Sequence, residues 1–236
     1  MILILILVVL ILLVIVYWLF MSSYSQVFGR YIWRVKTKDK LIAMTFDDGP
    51  NEPYTSQILD ILSENNIKAT FFMVGKCIER YPEAAKKVLA AGHSIGNHSV
   101  SHQFRNYFKP KFYELEIQKN QEIFNKYLNI TPTLYRSPWL WRYPSLLRRL
   151  KFAGFTPISG NFCHSLEVFK INANKIARSA IKKSKPGAII IFHDGKEGVT
   201  GVREQTVQAV RLVVAKLLKD NYKFVSVDEL LKKSTK

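Results

Sequence analysis

Two adjacent carboxylates at the end of an apolar run are the first residues of this sequence that could do chemistry. Asp47 and Asp48 follow a short apolar segment and precede Gly49 and Pro50. Side chains alternate along a strand, but both carboxylates can reach one crevice where the chain leaves the sheet. Pro cannot donate to a strand ladder and Gly permits a tight turn, so a strand is expected to end here. By itself, this stretch also fits a turn in which an Asp caps a helix.

A second candidate is a pair of histidines four residues apart. His98 and His102 would share one face of a helix, and a tight loop could bring them together in a similar way. Joined to one strand-end carboxylate, they form a set of two imidazoles and one carboxylate with open positions for water. Zn²⁺ suits three protein ligands and a water, and Co²⁺, Ni²⁺ or Fe²⁺ are alternatives. The pattern predicts a divalent metal site in which one Asp is a ligand and the other is free to act as a base.

Two further side chains could complete a hydrolytic site. A metal lowers the pKa of its bound water, and a base removes the proton as the water attacks a carbonyl. His193 could protonate the leaving nitrogen, and Arg136 could hold and orient the base carboxylate. The structural alternatives are a buried ion pair for Arg136 and a hydrogen-bonded core imidazole for His193.

Alternating strands and helices must position these residues. Predicted strands cover 40–46, 68–74, 94–96, 133–136, 155–159, 187–192 and 222–227. Predicted helices cover 54–65, 82–92, 111–128, 144–153, 172–184 and 203–219. This alternation is typical of an α/β fold with a mostly parallel sheet, and about seven strands favour a closed or nearly closed barrel. The candidate residues follow four different strands, at the sheet edge where such folds gather their chemistry.

Four segments resemble the motifs of the polysaccharide deacetylases, carbohydrate esterase family 4. They are Thr45-Phe46-Asp47-Asp48-Gly49-Pro50, His98-Ser99-Val100-Ser101-His102, Arg136-Ser137-Pro138-Trp139 and Ile191-Phe192-His193-Asp194-Gly195. Their order and spacing match, and the resemblance covers roughly residues 40–230. It implies a distorted, incomplete (β/α) barrel that removes N-acetyl groups from GlcNAc-containing glycans such as peptidoglycan or chitin.

The resemblance also implies a role for each residue. Asp47 would be the base, oriented by Arg136, and His193 would be the acid. Asp48, His98 and His102 would bind the metal. The residues implied to contact substrate are Pro138, Trp139 and Asp194.

One segment departs from the family pattern. The family usually has an Asp-Trp motif whose Asp supports the catalytic His, but residues 159–167 contain no such pair. Glu167 and His164 are the candidates to replace it. Because Glu167 has a longer side chain, we expect its geometry to be less constrained.

The first 21 residues carry no charge and could span roughly 30 Å as a helix, the thickness of a bilayer's hydrocarbon core. We predict a transmembrane anchor over 1–21, a juxtamembrane linker over 22–39 and a catalytic domain over 40–236. A cleaved signal peptide is the alternative, but no basic n-region precedes the apolar run and no clear A-x-A site follows it. A protein beginning near Thr37 is expected to fold and bind metal.

The chain has 35 Lys and Arg against 18 Asp and Glu, a net charge of +17. This charge favours anionic neighbours such as phospholipids or acidic wall polymers. No nucleic-acid recognition motif is present, so we predict no nucleic-acid partner. Cys77 and Cys163 are too few for a disulfide framework and are expected to be buried free thiols.

Three functions remain open at this point. The first is a single-pass membrane N-deacetylase of an envelope glycan, with its catalytic domain outside the cytoplasm. The second is a deacetylase of a lipid-linked or cytoplasmic aminosugar, which the basic residues after the anchor favour by the positive-inside tendency. The third is a catalytically silent glycan-binding protein, which would have no physical need for the full set of site residues.

Overall fold

Eight parallel strands form one curled sheet in the computed structural model, which describes residues 1–169 and 171–233. The strands are β1 (Leu41–Asp47), β2 (Thr70–Met73), β3 (Ser94–Asn97), β4 (Leu134–Tyr135), β5 (Thr156–Pro157), β6 (Asn161–Phe162), β7 (Ala188–His193) and β8 (Lys223–Phe224). Their order is β5-β4-β3-β2-β1-β7-β6, and β8 adds to β1. The prediction of an α/β fold with a distorted, incomplete barrel is confirmed.

Helices alternate with the strands, and all but the N-terminal helix pack around this sheet. They are α1 (Ile2–Phe20), α2 (Tyr54–Glu64), α3 (Gly75–Arg80), α4 (Pro82–Ala90), α5 (Lys119–Leu128), α6 (Pro144–Phe152), α7 (Ala173–Lys183), α8 (Glu204–Lys219) and α9 (Val227–Lys232). The helix predicted over 111–128 begins as a π-helix, Tyr113–Gln118, before it continues as α5. The sequence did not predict α3, α9 or β6, which are too short to carry a periodic signal.

The two faces of β1 show how the core is divided. All seven residues of this strand are buried, as expected for a parallel sheet covered on both sides. Ile42, Met44 and Phe46 pack in the larger hydrophobic cluster beneath the helices. Ala43 belongs to the smaller cluster inside the barrel. By alternation, Asp47 lies on that inner face, at the end of the strand.

Part of the segment predicted as a linker bridges the open side of the barrel. The backbone N–H of Ser159 donates to the carbonyl of Ile32 at 2.7 Å, next to β5. Arg34 forms an antiparallel bridge with Ala188 of β7, and the N–H of Val35 donates to Gly187 at 2.9 Å. Residues 32–35 therefore join β5 and β7.

Tyr31 attaches the same segment to the barrel. This residue is fully buried, and its hydroxyl accepts a hydrogen bond from the backbone N–H of Ser137 at 3.0 Å. The region predicted as a juxtamembrane linker is thus packed against the catalytic domain.

Helix α1 stands apart from the core. Its 19 residues are apolar, none is buried, and it is long enough to cross a membrane. A signal sequence can have the same length and apolar composition. Cys77 and Cys163 are free and buried, as predicted.

Candidate active site

Arg136 holds Asp47 at the end of β1. One guanidinium nitrogen of Arg136 donates to Asp47 Oδ1 at 2.6 Å and to Thr45 Oγ1 at 2.8 Å. The other terminal nitrogen donates to the carbonyl of Ser159 at 2.9 Å, and the guanidinium lies 4.0 Å from the ring centre of Phe72. Arg136 is fully buried, so these contacts fix both its position and the direction of the Asp47 carboxylate.

Asp48 points to a different group of side chains because the chain turns after Asp47. Its φ is +74°, a left-handed conformation that is uncommon outside glycine. Its Oδ1 lies 3.0 Å from Nε2 of His102 and 3.4 Å from Nε2 of His98. Its Oδ2 accepts from the backbone N–H of Glu197 at 2.8 Å. The adjacent carboxylates are therefore divided between two sets of partners.

The loop after β3 brings the two imidazoles together. Ser99 and His102 both have positive φ, +68° and +51°, so the loop turns back on itself and does not form a helix. His98 Nδ1 lies 2.7 Å from the carbonyl oxygen of Arg136. Because a carbonyl only accepts, His98 Nδ1 carries a proton, and in the neutral ring, the form that binds a metal, Nε2 is then free to be the ligand atom. A hydrogen bond of this kind fixes the ring of a metal-binding His.

These residues fit a divalent cation. Ligand atoms of Asp48, His98 and His102 all lie within 4.8 Å of one another, and all three residues are buried. Asp48 Oδ1 is buried and has no hydrogen-bond partner among the described residues. Burial alone would raise the pKa of Asp48, but His102 and His98 hold it well below its usual value. An ionised carboxylate beside two imidazoles is a donor set that suits Zn²⁺ with open positions.

His193 lies at the end of β7 and lines the same cavity as Asp48, His98 and His102. It is the register partner of Asp47 in the β1–β7 pair, so the two residues end neighbouring strands. Its Nδ1 lies 2.6 Å from Oε2 of Glu167. Burial disfavours the imidazolium, but the Glu167 carboxylate outweighs it and raises the pKa of His193 to about 9. The imidazole is thus held as a potential proton donor.

Glu167 is more firmly placed than its length suggested. It is buried, and Thr206 in the first turn of α8 donates to its second oxygen. The buried Arg203 holds the same loop by donating to the carbonyl of Val168 at 3.2 Å. The expectation of a loosely constrained Glu167 is therefore wrong. The other candidate, His164, accepts from the backbone N–H of Leu166 at 3.1 Å and is not the hydrogen-bond partner of His193 Nδ1.

The four motif groups surround a cavity of about 170 Å³. Trp139 forms part of its wall, with its ring centre 4.3 Å from that of His102. Leu140 and Phe162 add apolar surface, and Glu197 lies at the edge of the cavity. No motif pointed to Glu197, because its contribution depends on the path of the loop after β7.

The other two predicted substrate contacts lie outside this lining. Asp194 is buried, and its carboxylate accepts from Thr55 Oγ1 at 2.5 Å. Burial raises the pKa of Asp194 to about 7. Direct contact with substrate would require the side chain to leave this position. Pro138 is also buried, and its carbonyl accepts from the hydroxyl of Tyr107 at 3.2 Å.

Known proteins share this arrangement of sequence and fold. A sequence profile described as "Polysaccharide deacetylase" matches residues 34–158. A peptidoglycan-N-acetylglucosamine deacetylase of Bacillus cereus is 34% identical over 205 residues, covering 86% of this chain and 94% of the relative. A chitooligosaccharide deacetylase of Rhizobium leguminosarum bv. trifolii is 30% identical over 187 residues, covering 76% of this chain and 86% of the relative.

A solved structure agrees with the sequence relatives. It is a peptidoglycan N-acetylglucosamine deacetylase in complex with 4-naphthalen-1-yl-N-oxidanyl-benzamide. It superimposes with a TM-score of 0.79 at 27% identity, covering 86% of this chain and 94% of the other. The similarity therefore extends over the whole barrel.

Proposed function

Because the chain belongs to the polysaccharide deacetylase family, we propose that it is a membrane-anchored, metal-dependent N-deacetylase of a GlcNAc-containing envelope glycan. The observation that carries this proposal is the division of the two adjacent carboxylates. Asp48 faces His98 and His102, whereas Asp47 faces Arg136. A metal-dependent amide hydrolase uses both a metal ligand and a base near the attacked carbonyl, and this pair supplies one of each.

Asp48, His98 and His102 would hold the metal, for which Zn²⁺ is our first choice. A divalent cation bound there would polarise the acetamide carbonyl and lower the pKa of a water molecule. The hydrogen bond from His98 Nδ1 to the carbonyl of Arg136 keeps its Nε2 directed at the site. That bond also links the ligand loop to the residue that orients Asp47.

Asp47 and His193 would move the protons. As water adds to the acetamide carbon, Asp47 accepts one of its protons, while Arg136 keeps the carboxylate in place. His193 then donates a proton to the amide nitrogen as the C–N bond breaks, which releases acetate and the free amine. Glu167 would hold the imidazole in position throughout.

The cavity suits the acetamido group better than a whole glycan. Its volume of about 170 Å³ is below the range of typical small-molecule sites, so most of the sugar chain would lie outside it. Trp139, Leu140 and Phe162 offer apolar surface to the acetyl methyl group or to a sugar face. The relatives named for peptidoglycan and chitooligosaccharide substrates support a GlcNAc-containing glycan.

Acetate release tests this function. The full-length protein in detergent is expected to release acetate from GlcNAc oligomers or peptidoglycan, to stop after chelation and to recover when Zn²⁺ is returned. Activity that survives complete metal removal would contradict the metal-dependent mechanism. Glycan binding without acetate release from any of these substrates would favour the silent binding protein.

For the topology, we propose that α1 anchors the protein and that the barrel lies outside the cytoplasm. The support is the apolar helix and the peptidoglycan substrates in the relatives' names. The basic residues that follow the helix favour the opposite orientation. Reporters fused after Lys236 that are active on only one side of the membrane distinguish the two, and a cytoplasmic result would favour a lipid-linked or cytoplasmic aminosugar substrate.

A further inference from the structure

A second cavity, separate from the catalytic one, lies between the N-terminal segment and α6. Its volume is about 570 Å³. Much of its wall is apolar, and its apolar lining side chains are those of Phe28, Ile32, Pro144, Leu147, Phe155 and Pro157. The proposed deacetylation uses none of these residues, so the cavity needs a separate explanation.

Three cations line the same cavity. Arg30 comes from the N-terminal segment, while Arg148 and Lys151 are three residues apart on α6 and share one helix face. All three are exposed, and the side chain of none of them has a hydrogen bond or ion pair with any residue that the structure describes. No acidic residue is among the described residues that line the cavity. An apolar cavity with three uncompensated positive charges fits an amphiphilic anion.

The cavity lies beside the end of α1. The ring of Phe20, the last residue of α1, lies 4.9 Å from that of Phe28 in the cavity wall and 5.0 Å from that of Trp141. The backbone N–H of Arg142 donates to the carbonyl of Phe20 at 3.0 Å. The Arg142 guanidinium also donates to the carbonyl of Ser25, at 3.1 Å. These contacts hold the helix end and the cavity together.

If α1 crosses a membrane, its end and therefore the cavity lie at the headgroup level. Two exposed apolar side chains border this region: Val27 precedes Phe28 and is 58% exposed, and Phe152 follows Lys151 and is 84% exposed. Cationic and apolar groups together on one surface are typical of proteins that contact anionic lipid.

We propose that this cavity binds an anionic phospholipid of the membrane in which α1 is anchored. The phosphate would pair with Arg30, Arg148 and Lys151, and the upper acyl chains would lie against Phe28 and Leu147. Such a lipid would fix the orientation of the barrel on the membrane surface. The inference rests on the proposed membrane anchoring but not on the deacetylase chemistry.

Native mass spectrometry of the full-length protein in detergent, with phosphatidylglycerol or phosphatidylcholine added, tests the site. The wild type is expected to retain phosphatidylglycerol in preference to phosphatidylcholine. The triple variant R30Q/R148Q/K151Q should lose about 10- to 100-fold in affinity for phosphatidylglycerol, because it removes the three charges that attract the anionic headgroup. The matched control K175Q/R178Q/K182Q removes three exposed cations from α7 and should retain the lipid.

Several outcomes would overturn the proposal. Equal retention of the two lipids by the wild type would mean that the cavity does not select charge, and equal losses in both triple variants would mean that only the net charge matters. Displacement of the lipid by inorganic phosphate at similar concentrations would assign the cavity to free phosphate.

Acetate release from soluble GlcNAc oligomers, measured on the same samples, keeps this inference separate from the proposed function. The triple variant should release acetate like the wild type. Lipid selectivity without acetate release would contradict only the proposed deacetylase function. Acetate release without lipid selectivity would contradict only the proposed lipid site. The N-terminal sequence of the purified protein shows whether α1 was retained.

Discussion

Nδ1 of His193 lies 2.6 Å from Oε2 of Glu167, so a carboxylate contacts this imidazole although residues 159–167 contain no Asp-Trp pair. The carboxylate accepts a hydrogen bond from the Nδ1–H group, so Nε2 is directed to the cavity. Thr206 holds the second oxygen of Glu167 from the start of α8. The Glu side chain is longer than that of Asp. It contacts the imidazole with one carboxylate oxygen, while Thr206 holds the other oxygen.

Glu167→Gln should change the pH dependence of the reaction. As the acid, His193 works in its protonated form, so the rate falls as the pH rises through its pKa. Glu167 raises that pKa to about 9, and a divalent cation in the site would lower it again by repulsion. The substitution removes the carboxylate, so the alkaline limb should move to lower pH and the maximal rate should fall about 10- to 100-fold. The pH–rate profile of acetate release measures both effects.

Glu204→Gln is the control for that measurement. Glu204 is exposed at the start of α8, near Thr206 in sequence. Its substitution by Gln removes the same charge as Glu167→Gln. Its profile should match the wild type. An unmoved alkaline limb in Glu167→Gln would assign that limb to a group other than His193.

The grouping of the candidate site residues could be predicted from the sequence, because parallel strands bring their C-terminal ends to one edge of the sheet. That rule alone predicts that the residues at the ends of β1, β3, β4 and β7 lie close together. The position of residues 32–35 could not be predicted, since it depends on pairing with Ile158 and Ala188, more than 120 residues away. The buried position of Asp194 also depends on a distant partner, Thr55 on α2.

These contacts change the expectation for a truncated protein. A variant that begins at Ser22 keeps Tyr31 and the pairing of residues 32–35 with β5 and β7. A variant that begins at Thr37 loses a fully buried aromatic side chain and the bridges from residues 32–35 to Ile158 and Ala188, so it should be less stable by at least about 3 kcal/mol. Urea unfolding compares the stability of the two variants. Equal midpoints would mean that residues 22–36 do not stabilise the domain and that it begins near residue 40, as predicted from the sequence.

His93 should make the folded protein sensitive to acid. It is buried, and its Nδ1 accepts from the backbone N–H of Ala69 at 3.2 Å. Burial, with a smaller contribution from Lys68, lowers its pKa from 6.5 to about 4. The unfolded chain therefore takes up the proton first, so the stability that neutral His93 contributes is present above pH 6.5 and is lost as the pH falls towards 4.

His93→Asn tests this dependence because Asn keeps an acceptor but does not titrate. The variant should be less stable at neutral pH and should lose less of its unfolding free energy between pH 7 and pH 4.5 than the wild type does. Urea unfolding of both proteins at the two pH values measures these losses. Other titrating groups contribute equally to both proteins, so they cancel when the two losses are subtracted. Equal losses in the two proteins would remove His93 as a source of acid sensitivity.

Substitutions of the two neighbouring carboxylates should have different effects. Asp48→Ala leaves two imidazoles, too few for the usual three-ligand zinc site, so bound metal and turnover should both be lost. Asp47→Asn keeps size and polarity, and its side chain can still accept from Arg136, but it removes the proton acceptor. Metal content should stay near that of the wild type while turnover falls by about 10²- to 10⁴-fold, the usual contribution of a positioned general base.

Metal analysis and acetate release on the two purified variants decide whether the carboxylates have separate roles. The division follows from their partners, because Asp47 is held by a buried guanidinium while Asp48 has an oxygen with no hydrogen-bond partner among the described residues. Equal metal loss in both variants would show that the carboxylates bind the ion together, and the base would then be another group. Wild-type turnover in Asp47→Asn would remove that residue from the mechanism, because its amide cannot take the proton that the attacking water must give up.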